Sequence, residues 1–165
     1  LAFLFDFKFG AKIFSGTNLS LTNSGLHKNT LQGRENAAAG TITGKGVMLG
    51  ADGESYVPNT VAKSAQEYWQ SIVSNSISEE FIYDASFIKL RELALGYNLP
   101  KSLLSRQQAV KDVSISLVAR NLWTLLKHTD NIDPESAYNN TNGQGLELNG
   151  YPATRSVGFN VNIKF

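Results

Sequence analysis

From Val157 onward the chain alternates without exception: Val157, Phe159, Val161, Ile163 and Phe165 are apolar, while Gly158, Asn160, Asn162 and Lys164 are small or polar. A period of two is what a β-strand needs when its two faces meet different surroundings. A terminal strand is ordinarily frayed and tolerant of change, so a last residue as apolar as Phe165 points to an end that is held or recognised.

Further segments carry the same period. Leu1, Phe3, Phe5, Phe7 and Phe9 alternate with Ala2, Leu4, Asp6 and Lys8, so residues 1–9 read as a strand with its phenylalanines on one face and a charged pair on the other. Residues 83–99 read as a second strand whose pattern inverts along its length. Leu93, Leu95, Tyr97 and Leu99 are apolar at odd positions, but earlier the even Ile88 and Leu90 are apolar and the odd Lys89 and Arg91 are charged. Either a bulge flips the register near Arg91 or the basic pair lies outside the apolar band. Residues 113–124 form a third strand, with Val113, Ile115, Leu117, Ala119 and Trp123 against Ser114, Ser116, Arg120 and Thr124. Asn121 interrupts its apolar face, and Val118 and Leu122 interrupt the polar one. Residues 155–165 are the fourth.

The connections are lopsided. Residues 100–112 make a short turn, with Lys101 to Arg106 forming one helical turn after Pro100. Residues 10–82 and 125–153 make long loops. In the first, Ser64 and Glu67 form a capping box, and Ala65, Tyr68, Trp69, Ile72 and Val73 follow at helical spacing, which predicts a helix over 65–74 docked by its aromatic face. Gly40 to Gly53 is Gly-rich and reads as irregular. Long loops alternating with short ones are the pattern of an outer-membrane barrel, with the long loops outside the cell and the short turns in the periplasm.

Composition narrows the partners. A net charge of +1 and the lack of any basic run give no field that would draw nucleic acid. No stretch approaches the roughly 18–20 consecutive apolar residues of a spanning helix. A mean hydropathy of −0.18 is neutral between a soluble β-protein and a barrel. Without cysteine there is neither a disulfide framework nor a thiolate metal site. The opening Leu1-Ala2-Phe3 starts mid-element and reads as a piece of something longer.

Motifs that invite chemistry fail their own tests. Gly40-Thr41-Ile42-Thr43-Gly44-Lys45-Gly46 has its glycines one residue too close for a phosphate loop, and Gly46 stands where Ser or Thr would bind magnesium. Asp130-Asn131-Ile132-Asp133-Pro134-Glu135 clusters acids as a calcium loop does, but Ile132 occupies a ligand position and no glycine follows at the sixth place; a turn begun by Asp133-Pro134 accounts for it. His27 and His128 have no nucleophile or carboxylate that sequence can pair with them. No catalytic, cofactor-binding or metal-ligating set is expected. The loops do hold aromatics and amides, Tyr56, Tyr68, Tyr138, Asn139, Asn140, Asn142, Gln144 and Tyr151, the equipment of a polar-ligand site. Of these, Tyr138, Asn139, Asn140 and Tyr151 are the candidate extracellular ligand contacts. Trp69 reads as helix packing.

Three blocks carry a family resemblance. Glu79-Glu80-Phe81-Ile82-Tyr83-Asp84-Ala85-Ser86-Phe87-Ile88-Lys89-Leu90-Arg91-Glu92-Leu93 and its continuation to Pro100 come first; Ala119-Arg120-Asn121-Leu122-Trp123 with Asn131-Ile132-Asp133-Pro134-Glu135 follows; Gly150-Tyr151-Pro152-Ala153-Thr154-Arg155-Ser156-Val157-Gly158-Phe159 is third. Together, in this order, they resemble SusC/RagA-like TonB-linked outer-membrane transporters. The resemblance implies an all-β chain forming the last four antiparallel strands of a transmembrane barrel of about 22 strands. It implies a location in the bacterial outer membrane and import of glycans or peptides with a SusD-like surface lipoprotein partner. TonB would act through an N-terminal region outside these residues, and outer-membrane lipid would face the odd residues of the last strand. Phe165, with Phe159, Val161 and Ile163, resembles the C-terminal signal read by barrel-assembly machinery. The competing reading is a soluble β-sandwich that binds carbohydrate and buries its odd faces against one another.

Overall fold

The four long strands, Ala2–Lys8, Phe87–Asn98, Asp112–Lys127 and Ser156–Lys164, lie side by side in that order in one antiparallel sheet. The computed structural model describes residues 1–34, 40–104, 109–137 and 141–165. In chain order its strands are β1 (Ala2–Lys8), β2 (Lys12–Ser15), β3 (Thr41–Thr43), β4 (Val47–Leu49), β5 (Tyr56–Pro58), β6 (Ala62–Ser64), β7 (Ile82–Asp84), β8 (Phe87–Asn98), β9 (Asp112–Lys127), β10 (Leu146–Glu147) and β11 (Ser156–Lys164). Its α-helices are α1 (Gly16–Asn23), α2 (Ala65–Ser74) and the single turn α3 (Lys101–Leu104). The chain divides into two compact units: residues 1–13, 83–145 and 150–165 form the first, and residues 14–82 with 146–149 form the second.

In the first unit, the expected strand over 83–99 is broken at Ala85-Ser86. The Asp84 carboxylate accepts from the Ser86 backbone N–H at 2.9 Å and from its hydroxyl at 2.6 Å, a local turn that competes with a continuous ladder. Ser86 Oγ in turn accepts from Gly10 N–H, and the Ala85 N–H donates to the Ala11 carbonyl. Ile13, Ala85 and Ile132 form a small buried cluster beside this break. Strand β9 continues past residue 124 to Lys127. Beyond α3, residues 105 and 106 of the expected helical turn lie outside the described residues.

The second unit holds more order than one helix. Ser15 caps α1, its hydroxyl accepting from Asn18 N–H at 3.0 Å. It also donates to the fully buried Glu147 carboxylate at 2.9 Å, which accepts from the Thr17 hydroxyl and backbone N–H as well. A carboxylate at a helix N-terminus is doubly favoured, by orphan N–H donors and by the helix dipole. Phe14 and Ser15 pair in parallel with Leu146 and Glu147, so residues over a hundred positions apart are stitched by one side chain. Gly16 is needed there: a Cβ would come within 2.9 Å of the Glu147 carbonyl oxygen and of Leu148 Cδ2.

The stretch from Gly40 to Gly53 departs from its irregular reading. It contains β3, paired antiparallel with β6, and β4, paired antiparallel with β5. Strands of three residues are too short to display a period, which is why alternation missed them. Helix α2 begins where the capping box puts it: the Glu67 N–H donates to Ser64 Oγ, and the Glu67 carboxylate accepts from the Ser64 N–H at 3.1 Å and hydroxyl at 2.9 Å. Ala65 and Ile72 are its buried residues.

The Ser64 hydroxyl, then its backbone N–H, hold the Glu67 carboxyl below its ordinary value. The cap's contribution is therefore complete above the unfolded carboxyl's pKa and is lost as pH falls through the lower folded one. Ser64→Ala should cost about 1 kcal/mol of local stability, read as faster amide hydrogen exchange in the first turn of α2. Lowering the pH through the carboxylate range should speed the same amides in the parent, after correction for intrinsic exchange, and change them less in Ser64→Ala.

Candidate membrane-spanning surface

Directly opposed residues in a sheet share a face, so the register assigns every side chain. One row crosses all four strands as Phe3, Leu93, Ala119 and Val157. Neighbouring rows on this face contain Phe5 with Leu90 and Trp123, Phe7 with Ile88, Leu95 with Leu117 and Phe159, and Tyr97 with Ile115 and Val161. The other face carries Leu4, Glu92, Arg120 and Ser156 in one row, Ala2, Ala94, Val118 and Gly158 in the next, Gly96, Ser116 and Asn160 in a third, and Asn98, Ser114 and Asn162 in a fourth. One face is thus apolar along the paired strands, and the other is mostly small and polar, with Leu4 and Val118 as its exceptions.

The apolar face is open. Phe3 is 64% exposed, Trp123 61% and Phe159 79%. Contiguous exposure on this scale marks a surface that meets lipid or a partner, not ordinary scattered surface hydrophobics. No helix among the described residues is long and apolar enough to cross a membrane; strands cross by another pattern, apolar outward and polar inward.

A double irregularity keeps that face continuous. Against β1, Leu4 pairs with Glu92 and Phe5 with Leu90, leaving Arg91 as an extra residue. Against β9, Leu90 pairs with Trp123 and Glu92 with Arg120, where Asn121 takes a left-handed φ of 51°. Asn tolerates that conformation better than most residues. The bulge alternative left open by the sequence is the one adopted: Ile88 and Leu90, out of phase with Leu93 and Leu95, come onto the same face. The same shift explains why Asn121 and Leu122 interrupted the pattern of β9.

The opposite face carries an ionic cluster at one end of β8. Lys89 Nζ lies 2.7 and 2.8 Å from the Asp133 carboxylate oxygens and 2.6 Å from Glu135 Oε2. Arg91 donates to Asp6 Oδ2 at 2.9 and 2.7 Å, to Asn121 Oδ1 at 3.3 Å, and to Glu135. Both cations lie over the buried Phe87 ring, Lys89 Nζ at 4.9 Å from its centroid. Asp133 begins a turn, its carbonyl accepting from Ser136 N–H at 3.0 Å, as Asp133-Pro134 predicts. The acids there meet cations, and no group of three or more metal-binding side chains occurs among the described residues. The sequence explains Asp133 and Glu135 by a turn alone; the signal that ties them to β8 is its pair of basic residues, Lys89 and Arg91, which out of phase with the apolar set need acidic partners.

Phe159, Val161 and Ile163 lie along the apolar face of β11, all exposed. Phe165 follows β11, and its backbone oxygen accepts from Lys111 Nζ at 3.1 Å. Tyr151 is exposed. Tyr138, Asn139 and Asn140 lie outside the described residues. Tyr68 and Trp69 pack edge to face on α2, with ring centroids 5.1 Å apart. His27 is buried, its Nδ1 accepting from Asn29 N–H at the start of a short 3-10 turn.

The inner cluster separates from ordinary surface pairs by burial. Lys89→Ala strands a Lys-binding pair of carboxylates and should cost about 3–5 kcal/mol. Arg120→Ala, which removes the exposed pair with Glu92, should cost no more than about 1 kcal/mol. Denaturant unfolding of the detergent-folded protein checks both.

Comparison with known proteins agrees with this geometry. No protein-family model matches the chain. The TonB-dependent receptor P3 of Formosa agariphila is 34% identical over 95 residues, covering 54% of this chain and 9% of that receptor. Among solved structures, the RagAB peptide transporter aligns with 99% of this chain at 21% identity and a TM-score of 0.59. The RagAB peptide importer in its closed-closed state aligns with 98% at 23% identity and a TM-score of 0.62. Each alignment spans about 15% of the transporter chain, so the chain covers a small part of every relative it matches. In sequence the chain is similar to part of a TonB-dependent receptor, and in fold to part of the RagAB transporter chain.

Proposed function

We propose that the chain supplies four C-terminal wall strands and two extracellular loops of an outer-membrane transporter that imports glycans or peptides. The observation that carries this reading is the four-stranded sheet itself, with one apolar face, one mostly polar face and, among the described residues, outer strands β1 and β11 each paired on one side only. In a barrel of about 22 strands those edges pair with further strands. The apolar face meets lipid, and the Ser, Asn and Gly rows line the lumen. Residues 10–82 and 125–153 stand outside the cell, where a SusD-like lipoprotein closes over them and Tyr138, Asn139, Asn140 and Tyr151 contact cargo. TonB supplies energy through segments elsewhere in the receptor.

A soluble sandwich would need a second sheet against the apolar face, and none covers Phe3, Trp123 or Phe159 among the described residues. No observation favours that reading.

Face assignment gives a sharp test. Val161→Arg puts a cation on the lipid side and should cost about 2–4 kcal/mol near the midplane, whereas Asn160→Arg, its lumen-side neighbour, should assemble normally. The fraction of full-length receptor recovered from outer membranes in heat-modifiable form measures both; equal loss in the two would sink the assignment.

The end of the chain acts at an earlier stage. With Phe159, Val161 and Ile163, Phe165 forms the signal read during barrel assembly, so Phe165→Asp or its deletion should lower outer-membrane insertion in cells several-fold. Refolding of the purified variant into detergent should stay near normal, because the lost contact is with the assembly machinery. A refolding defect as large as the insertion defect would assign Phe165 to stability instead.

A further inference from the structure

The second unit contains a cavity of about 270 Å³ that the reading above leaves without a role. Thr22, Thr30, Arg34, Gln66, Trp69 and Gln70 are among its lining residues, and no acid among the described residues lines it. The Arg34 guanidinium donates to Thr30 Oγ1 at 3.4 Å and meets no carboxylate among the described residues. The indole N–H of Trp69 is buried and has no acceptor within hydrogen-bond reach among them. Buried donors in folded proteins are nearly always satisfied, so an orphan on a residue that lines a cavity is an invitation to an acceptor.

These groups share a sense. A guanidinium and an indole N–H can only donate, while hydroxyls and carboxamides adapt to either role. Among the described residues the one formal charge lining the cavity is positive. A carboxylate, which only accepts and which arginine grips through two parallel N–H groups, is the complementary ligand. The indole adds a flat apolar surface for the carbon skeleton that bears it. The volume falls below the range of roughly 300–1,000 Å³ that holds drug-sized ligands, so the site accommodates one residue of a polymer.

We propose that this cavity is a carboxylate subsite for cargo, taking either a uronic acid of an acidic glycan or a carboxyl group of a peptide. It rests on the transport reading only in calling that ligand cargo; the recognition chemistry stands on Arg34 and Trp69.

Ligand-observed NMR on the full-length receptor in detergent tests it with four probes: glucuronate, N-acetylalanine, and their neutral counterparts glucose and N-acetylalanine amide. At least one acid should bind ten-fold or more tightly than its neutral counterpart. Arg34→Gln should weaken that acid ten-fold or more, and Trp69→Phe, which keeps a ring but removes the N–H, should weaken it several-fold. Preference for glucuronate assigns the carboxylate to a glycan and preference for N-acetylalanine to a peptide; either supports the subsite. Equal binding of acids and neutral probes, no binding of any of the four, or unchanged acid binding in Arg34→Gln overturns it. A receptor that proves soluble without detergent would overturn the transport reading instead, and the same titration in buffer would still decide the subsite.

Discussion

The register shift at Arg91 is the constraint on which the sheet depends. The apolar residues of β8 change phase midway, from even at Ile88 and Leu90 to odd at Leu93, Leu95 and Tyr97. A strand of regular pleat would send one of these sets to each face. It would also place Lys89 and Arg91 beside Phe3, Phe5 and Phe7. In the proposed barrel that means cations toward lipid at about 2–4 kcal/mol each near the midplane. One extra residue on β8, answered by the left-handed Asn121 on β9, costs an irregular ladder and one less common backbone conformation, and removes the conflict along the whole strand.

The same shift builds the inner cluster. Lys89 and Arg91 come to lie over Phe87 within reach of Asp6 on β1, Asn121 on β9 and the turn at Asp133-Glu135. Three acids and two bases therefore tie β1, β8, β9 and the loop after β9 into one network. Breaking it at the buried Lys89 leaves charges that have little water to turn to, which is why burial and not pair count sets the cost.

What the sequence disclosed follows from how local each signal is. The closing strand was legible because its alternation is unbroken and β11 pairs with β9 without a shift. Helix α2 was legible because Ser64 and Glu67 specify its start within four positions. The phase change in β8 was visible, but only its partners decide between a bulge and a displaced basic pair, and those partners are about 30 to 85 residues away. Strands β3 to β6 were hidden because three residues carry no period, and the break at Asp84-Ser86 because a side-chain turn leaves the apolar pattern intact. The Glu147 contacts and the Arg34–Trp69 cavity were beyond reach for a common reason: each joins segments that no spacing rule connects. Tyr138, Asn139 and Asn140 were chosen for side-chain type alone, without any periodicity to place them.

The sheet poses two demands that one arrangement can meet together. Its apolar face must leave water, and the free edges of β1 and β11 must find hydrogen-bond partners, because an exposed edge is a template for uncontrolled pairing. A second sheet packed on the face would satisfy the first demand and leave the edges open. Extending the sheet until it closes satisfies the second, and closure turns the apolar face outward as a continuous band. In hydrocarbon every backbone donor and acceptor has to be met within the protein, so lipid tolerates that band only when the sheet is closed. The polar rows of Ser, Asn and Gly then need water on the inside, which the lumen of a large barrel provides. In the proposed barrel, two faces of opposite character and two edges unpaired among the described residues are thus consequences of a single choice of surroundings, and the alternation from Val157 to Phe165 carries that choice in sequence.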